Sequence, residues 1–321
     1  MLFVPEAVSQ RLISRQLALS AVRDALIAAV DGSSTSFPSV LGFGPDEGHR
    51  FSVKSATARG VPLTGLKVGG YWTSNAERGL ARHNSLVLLI DEVTGRVGAV
   101  VEAGAANAYR TAAADALAVD LLARPEARGL AVFGAGPQAR HEVLAIRDVR
   151  PDIGHVLVVN RGEKAGQRLV EELRHEGVDA AAASAEAACR EADIIVTATA
   201  ARAPLFDAAW VRAGAHVSSM GSDGRGKQEL PPDLLRGARL FADLPSQSVE
   251  LGEFQHVAAE VKSGALRLTA IGDVARGVAV GRGSPGEITV FDSSGIALQD
   301  LHMASRLLEQ ALAEGSAVEI A

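Results

Sequence analysis

Over residues 6–29 apolar side chains recur at helical spacing (Val8, Leu12, Ile13, Leu17, Val22, Leu26, Ile27), which predicts one amphipathic helix or two short ones. Over residues 33–101 the period changes. Short alternating or apolar runs (FPSVLGFG, HRFSVKSATA, LTGLKVGGYW, NSLVLLIDEVTGRVGAVVEAG) are punctuated by glycine and read as antiparallel strands and hairpins, with Val93-Thr94-Gly95-Arg96 as one turn. Residues 105–122 are alanine-rich and helical, and stop before Pro125.

Beyond Arg128 the pattern alternates regularly. Apolar strands GLAVFGAG, HVLVVNR, DAAAA and DIIVTATA are separated by helical stretches at 137–149, 163–176 and 185–191. Continuously apolar strands between helices are what a parallel sheet buried on both faces requires, so the expected fold class is α/β with a doubly wound parallel sheet. Further apolar segments, AHVSSMGS, ARLFADL and ITVFDSSG, follow, and a helix at 296–314 lies beyond the sheet strands, able to return to the first domain. The change of pattern puts a boundary near residues 122–128.

Composition narrows the function. A chain of 321 residues exceeds what one core usually supports, and a hydrophobic share of 47% is enough to fill two. The net charge of -6, without a basic run, argues against nucleic acid and against an acidic membrane surface as partners. The opening MLFVPEAVSQRLISRQLAL has no basic stretch leading into an apolar one, and no later run has bilayer length, so a cytoplasmic location is expected. The single cysteine, Cys189, has no partner for a disulfide and no ligands at zinc spacing; it reads as a buried apolar residue on a helix, and no metal is expected.

The candidate chemistry starts at Gly134-Ala135-Gly136-Pro137-Gln138-Ala139, which follows an apolar strand and opens a helix. In a dinucleotide site Gly134 permits the tight turn, Gly136 lets the backbone approach a pyrophosphate, Ala139 allows close helix packing, and the helix start offers N–H groups to phosphate. An ordinary glycine turn is the bland alternative. The second strand ends at Asn160-Arg161-Gly162, without the acid that accepts hydrogen bonds from the ribose of NAD. Arg161, helped by Lys164, suits the 2′-phosphate of NADP, so NADP(H) is favoured with NAD(H) possible; a solvated arginine beside an NAD ribose is the alternative. Thr197 and Thr199, at the fourth strand end, suit backbone approach by the cofactor or form a mere turn.

Three charges stand out. Lys67 is the lone charge between Arg59 and Glu77, and is either a cleft residue for a carboxylate or a proton, or a snorkelling edge-strand lysine. Arg110, alone among small residues at a helix start, either anchors a carboxylate or makes a helix-to-sheet salt bridge. Asp223 follows a strand of the doubly wound domain, where it acts as acid or base, or simply as a turn or cap residue.

These residues lie in motifs that resemble, in order and over nearly the whole chain, the ornithine cyclodeaminase and mu-crystallin family: LKVGG, AYRTAAA, FGAGPQA, VVNR, MGSDGRGKQEL and TVFDSSGIALQDL. The resemblance implies a Rossmann domain (123–295) and an α+β substrate-binding and dimerisation domain built from 1–122 and 296–321, with homodimers. It implies hydride transfer between nicotinamide and the α-carbon of an imine beside a carboxylate. Carried over by position, Lys67 binds the carboxylate or assists proton transfer, Arg110 clamps the carboxylate, and Asp223 does acid–base work. Gly134, Ala135, Gly136, Pro137, Gln138, Asn160, Arg161, Thr197, Thr199, Met220, Ser222 and Ser294 are the cofactor-binding candidates.

One departure is Phe37-Pro38-Ser39-Val40-Leu41, where many members place an arginine after the proline; the contact is lost or handed to Arg50. The stretches GGYWTSN (69–75) and RHNS (82–85) look more like the imino-acid reductase branch, with His83 a proton or hydrogen-bond donor, or structural. The expectation is an NAD(P)H-dependent reductase of a small α-imino acid, such as pyrroline-2-carboxylate, piperideine-2-carboxylate or iminosuccinate. The rivals are an ornithine cyclodeaminase, an alanine-dehydrogenase-like reductive aminase, and a non-catalytic crystallin-like dinucleotide binder.

Overall fold

The computed structural model describes residues 1–46, 48–61 and 63–320. In chain order the first elements are β1 (Leu2–Val4), α1 (Glu6–Leu12), α2 (Arg15–Ala28), β2 (Ser34–Ser36), β3 (Val40–Phe43), β4 (Arg50–Ala58), β5 (Leu63–Tyr71), β6 (His83–Ile90), β7 (Val97–Glu102) and α3 (Ala106–Leu122). Next come β8 (Gly129–Phe133), α4 (Pro137–Val149), β9 (His155–Val159), α5 (Glu163–His175), β10 (Ala180–Ala182), α6 (Ala185–Glu191), β11 (Ile194–Thr197) and β12 (His216–Ser219). The last are α7 (Pro232–Arg236), β13 (Arg239–Ala242), α8 (Pro245–Leu251), α9 (Ala258–Lys262), β14 (Leu268–Ala270), α10 (Ile271–Ala275), β15 (Thr289–Asp292), α11 (Ala297–Ala313) and β16 (Val318–Glu319). Two compact units result, Met1–Arg110 with Ile296–Ala321, and Thr111–Gly295, so the division falls inside α3.

The first unit holds a mixed sheet of order β16-β1-β7-β6-β5-β4-β2, with β3 also on β4. The predicted opening helix is two helices, because Ser14 leaves helical geometry and its side chain accepts from the Leu17 amide to start α2. The hairpin between β6 and β7 turns on Gly95 (φ 70°), with Asp91 Oδ1 accepting from Val93 N and Thr94 N at 3.1 and 2.7 Å. Strand alternation sorts the sheet into two faces. Ala56, Leu63, Lys67, Val87 and Val101 are buried, while Val53, Leu66, Val68, Leu86, Leu88 and Val100 on the other face are half-buried. Helix α11 lies on the buried face: a side chain at Gly65 would meet Leu301 Cδ2 at 2.9 Å. Leu301 is fully buried, a gain of about 1.5–3 kcal/mol for such a side chain.

The second unit is a parallel sheet of order β10-β9-β8-β11-β12-β15-β13-β14. Every strand pair in it runs parallel. The α/β doubly wound expectation therefore describes the protein. The chain leaves β8 in one direction and returns to its other side at β11, which makes the gap between their carboxyl ends the topological switch point. Strands β8, β11, β12 and β15 are buried along nearly their whole length, as a sheet covered on both faces requires. Cys189 is buried on α6 and its thiol is pushed up to about 12 by that burial, consistent with an inert core residue. Among the described residues no helix is long and apolar enough to cross a membrane.

Candidate functional site

In the first unit, Lys67 sits on β5, which is hydrogen-bonded on both sides, opposite Lys54 of β4 and Val87 of β6. The edge-strand alternative is thereby overturned: the side chain is interior, and only 7% exposed. Its Nζ donates to Asp300 Oδ1 at 2.8 Å and to Asn107 Oδ1 at 2.6 Å. Arg110, in the first turns of α3, donates from its terminal nitrogens to Asn107 Oδ1 at 2.7 Å and to Gln299 Oε1 at 3.3 Å. Its Nε stands 3.3 Å from the same Asp300 oxygen. The helix-to-sheet salt bridge considered for Arg110 is instead helix to helix, because Asp300 lies on α11.

Two cations thus share one carboxylate in a nearly dry place, leaving an excess of one positive charge where both are protonated. Burial draws the Lys67 ammonium down to about 8, against the pull of Asp300, with Arg110 and Lys54 also lowering it. Burial opposes ionisation of Asp300 too, but Lys67 and Arg110 outweigh it and hold the carboxyl below its ordinary value. His83 approaches the same place: a side chain at Gly69 would lie 3.4 Å from Lys67 Cε and 3.8 Å from His83 Nε2. Arg50 is exposed, across from Tyr71, with its guanidinium 5.4 Å from that ring.

In the second unit the glycine turn has the geometry expected of it. Gly134 has φ +112°, and a Cβ there would lie 2.6 Å from Ala198 O, so two strand-end loops meet across the switch point at a position only glycine tolerates. Gly136 caps α4 with extended backbone, and a Cβ there would meet nothing within 4 Å among the described residues. That open space beside the first turn of α4 fits a pyrophosphate. Pro137 occupies the first helical turn, Ala139 is fully buried, and Gln138 donates to Glu142 at 2.7 Å. At the end of β9, Asn160 Nδ2 donates to Gly162 O at 2.8 Å, and Arg161 is exposed.

Thr197 and Thr199 are held by an acid outside the predicted set. Glu229, fully buried, accepts from Thr197 Oγ1 at 2.8 Å, from the amide and hydroxyl of Thr199 at 2.7 Å, and from Gly221 N at 2.8 Å. Burial raises its carboxyl, and the Thr199 and Thr197 hydrogen bonds partly oppose the shift. The Thr197 hydroxyl is therefore inside the sheet. Beside it, Glu253 accepts from Leu230 N at 2.9 Å and is pushed up to about 7 by burial. Asp223 is ion-paired with Lys227, whose Nζ also donates to Gly221 O at 3.1 Å. Ser222 is buried with its hydroxyl 3.4 Å from Lys227 O, and the Met220 amide donates to Thr197 O at 2.8 Å. Ser294 accepts from Gln247 Nε2 at 2.7 Å. Asp300 carried the same signal as Lys67, a lone charge in an apolar run (IALQDLHMA); Glu229 lay within a quoted motif but only its fold-back onto Thr199 reveals it.

Residues 1–315 match the ornithine cyclodeaminase/mu-crystallin family. The chain is 34% identical to the iminosuccinate reductase of Paracoccus denitrificans (strain Pd 1222), over 100% of this chain and 99% of that protein. The crystal structure of the Paracoccus denitrificans iminosuccinate reductase in complex with NAD+ superposes with a TM-score of 0.93, again over 100% and 99% of the two chains. An archaeal alanine dehydrogenase dimer with bound NAD is 32% identical, with a TM-score of 0.90 over 100% and 99%. The Δ1-pyrroline-2-carboxylate reductase of Thermococcus litoralis, in complex with NADH and L-proline, is 27% identical with a TM-score of 0.90 over 100% of both chains. With matching motifs, fold and full-length coverage, the chain belongs to the ornithine cyclodeaminase/mu-crystallin family.

Proposed function

We propose that this protein is a nicotinamide-dinucleotide-dependent reductase that converts a small α-imino acid to the L-amino acid. The observation that carries this reading is the buried convergence of Lys67 and Arg110 on Asp300, an excess positive charge suited to one substrate carboxylate. The first unit takes the substrate role and the second the dinucleotide role. Lys67 and Arg110 bind and orient the carboxylate, with His83 as a further hydrogen-bond donor and Arg50 as an outer cation. Gly134, Ala135, Gly136, Pro137 and the first turn of α4 hold the pyrophosphate; Thr199, Met220, Ser222 and Ser294 shape the strand ends around the rest of the cofactor. Bound reduced nicotinamide supplies the hydride, which adds to the imine carbon. Asp223, ion-paired with Lys227, is assigned to keep the imine nitrogen protonated, so that the electrophilic carbon is activated before reduction. Positioning and fixed charge supply most of the acceleration.

NADPH is the dinucleotide we assign, on the exposed Arg161 and the lack of a carboxylate at Asn160-Arg161-Gly162. A homodimer is assigned to the outer face of the first unit's sheet. There Val53, Val68 and Leu86 form one row across β4, β5 and β6, and Leu66, Leu88 and Val100 the next, beside exposed Val40 and Phe51.

The test is stoichiometric oxidation of NADPH and NADH, in parallel, on adding Δ1-pyrroline-2-carboxylate, Δ1-piperideine-2-carboxylate, or oxaloacetate with ammonia. Net cofactor oxidation with amino-acid formation is expected. Proline and ammonia formed from ornithine with no net cofactor change would replace the reading with a cyclodeaminase, and binding of NADPH with no turnover on any imine would reduce it to a binder.

A further inference from the structure

Asp300 is buried, acidic and on the last helix, and carboxylate binding by itself does not call for it. Its Oδ1 receives Lys67 Nζ at 2.8 Å and faces Arg110 Nε at 3.3 Å, while its Oδ2 is buried with no hydrogen-bond partner among the described residues. We propose that Asp300 is a positioning residue which keeps Lys67 protonated and aimed, so that one ammonium N–H remains for the substrate carboxylate; this rests on the carboxylate-binding role assigned above to Lys67 and Arg110.

An ammonium has three donors. For Lys67, two are fixed by Asp300 and Asn107, at 2.8 and 2.6 Å, and these two bonds set the direction of the third. Charge argues the same way. The groups that face Lys67 are Arg110 from α3, Lys54 from β4, His83 from β6 and Asp300 from α11; the acid in that set is Asp300. Without it, two buried cations would share only the neutral amide oxygen of Asn107. A guanidinium does not shed its proton in proteins, so Lys67 would be the one to lose charge. The ammonium, already drawn down to about 8 by burial, would then be largely neutral at physiological pH.

Lys67 is one of five lysines in the chain, so its side-chain nitrogen can be followed by NMR in lysine-labelled protein and identified by its loss in Lys67→Arg. With no substrate present, the expected titration midpoint is about 8. In Asp300→Asn it should fall by at least about one pH unit, a tenfold loss of proton affinity. Asp300→Glu, which retains the charge, should hold it, and Asp300→Ser serves as the charge-removing variant if the amide does not fold. Circular dichroism and dinucleotide titration report folding in each. In wild-type protein the buried ammonium should give a slowly exchanging signal below the midpoint; fast exchange at pH 6 would overturn the proposal without any variant.

Turnover gives the second readout. The alkaline limb of kcat/KM for Δ1-pyrroline-2-carboxylate should move down with the NMR midpoint in Asp300→Asn, through KM rather than kcat, and Lys67→Arg should erase it. An unchanged midpoint in the uncharged variants overturns the positioning role, even if the protein reduces imines. A shifted midpoint in a protein that reduces none supports the role and discards the proposed activity instead.

Discussion

One oxygen of Glu229 accepts from both the amide and the hydroxyl of Thr199, each at 2.7 Å. Its other oxygen takes Gly221 N at 2.8 Å, so one buried carboxylate ties the loop after β11 to the loop after β12. Glu229→Ala would strand several buried donors at once, each costing about 1–3 kcal/mol. We expect a loss on the order of 3 kcal/mol or more in urea unfolding, together with weaker dinucleotide binding. Because burial already favours the neutral acid, Glu229→Gln should cost clearly less than the alanine change. Equal losses in the two variants would contradict this account.

The two glycines of the cofactor turn should fail differently. Gly134→Ala forces a side chain onto φ +112° and against Ala198 O, so both stability and dinucleotide affinity should drop, the former by about 1–3 kcal/mol. Gly136→Ala meets nothing within 4 Å among the described residues, so its melting temperature should stay within about 1–2 °C of wild type. Its NADPH affinity, measured by nucleotide fluorescence, should nonetheless fall at least about tenfold, because the methyl group enters the pyrophosphate space.

Arg161→Ala should weaken NADPH by about 10- to 100-fold and leave NADH nearly unchanged, as removal of a charge-assisted contact of about 1.5–3 kcal/mol predicts. Parallel titrations with the two nucleotides decide it. Equal effects on both would mean that Arg161 reads no 2′-phosphate.

Glu253 gives a pH dependence of stability opposite in sign to that of a salt-bridged carboxylate. Its value is raised from 4.5 to about 7 in the folded state, chiefly by burial. Below about 4.5 both states hold the proton and its contribution is fully present; between 4.5 and 7 the unfolded chain releases it first, so stability falls as pH rises through that window. Glu253→Gln should flatten this part of the unfolding free energy against pH. A curve with the same slope as wild type would assign the effect to other groups.

The sequence disclosed what depends on local pattern. Continuous apolar strands marked the parallel sheet, and the Gly134 turn was legible because strand, turn and helix are consecutive. Strands β1, β2 and β16 were not seen, since two or three residues carry no period, and Ser34–Ser36 has no apolar residue at all. Lys67 and Arg110 were visible as lone charges in apolar runs. What each charge touches was not, because Asp300 reaches Lys67 only through the packing of α11 on the sheet. Likewise Thr197 and Thr199 were found from their position at a strand end, yet Glu229, which engages their hydroxyls, follows 32 and 30 residues later in a loop.

The sequence separation of Lys67 and Asp300, 233 positions, has a consequence for synthesis. A ribosome that has finished β5, and even the entire parallel sheet, has not yet made the counter-ion, so Lys67 stays hydrated until α11 arrives to bury and pair it. The dinucleotide unit, an uninterrupted segment, can collapse as it emerges, whereas the substrate unit waits for α11. Chains stalled before residue 297 should therefore be able to take up nucleotide yet remain unable to capture an imino acid, which makes the final helix a checkpoint on whether a newly made molecule is competent.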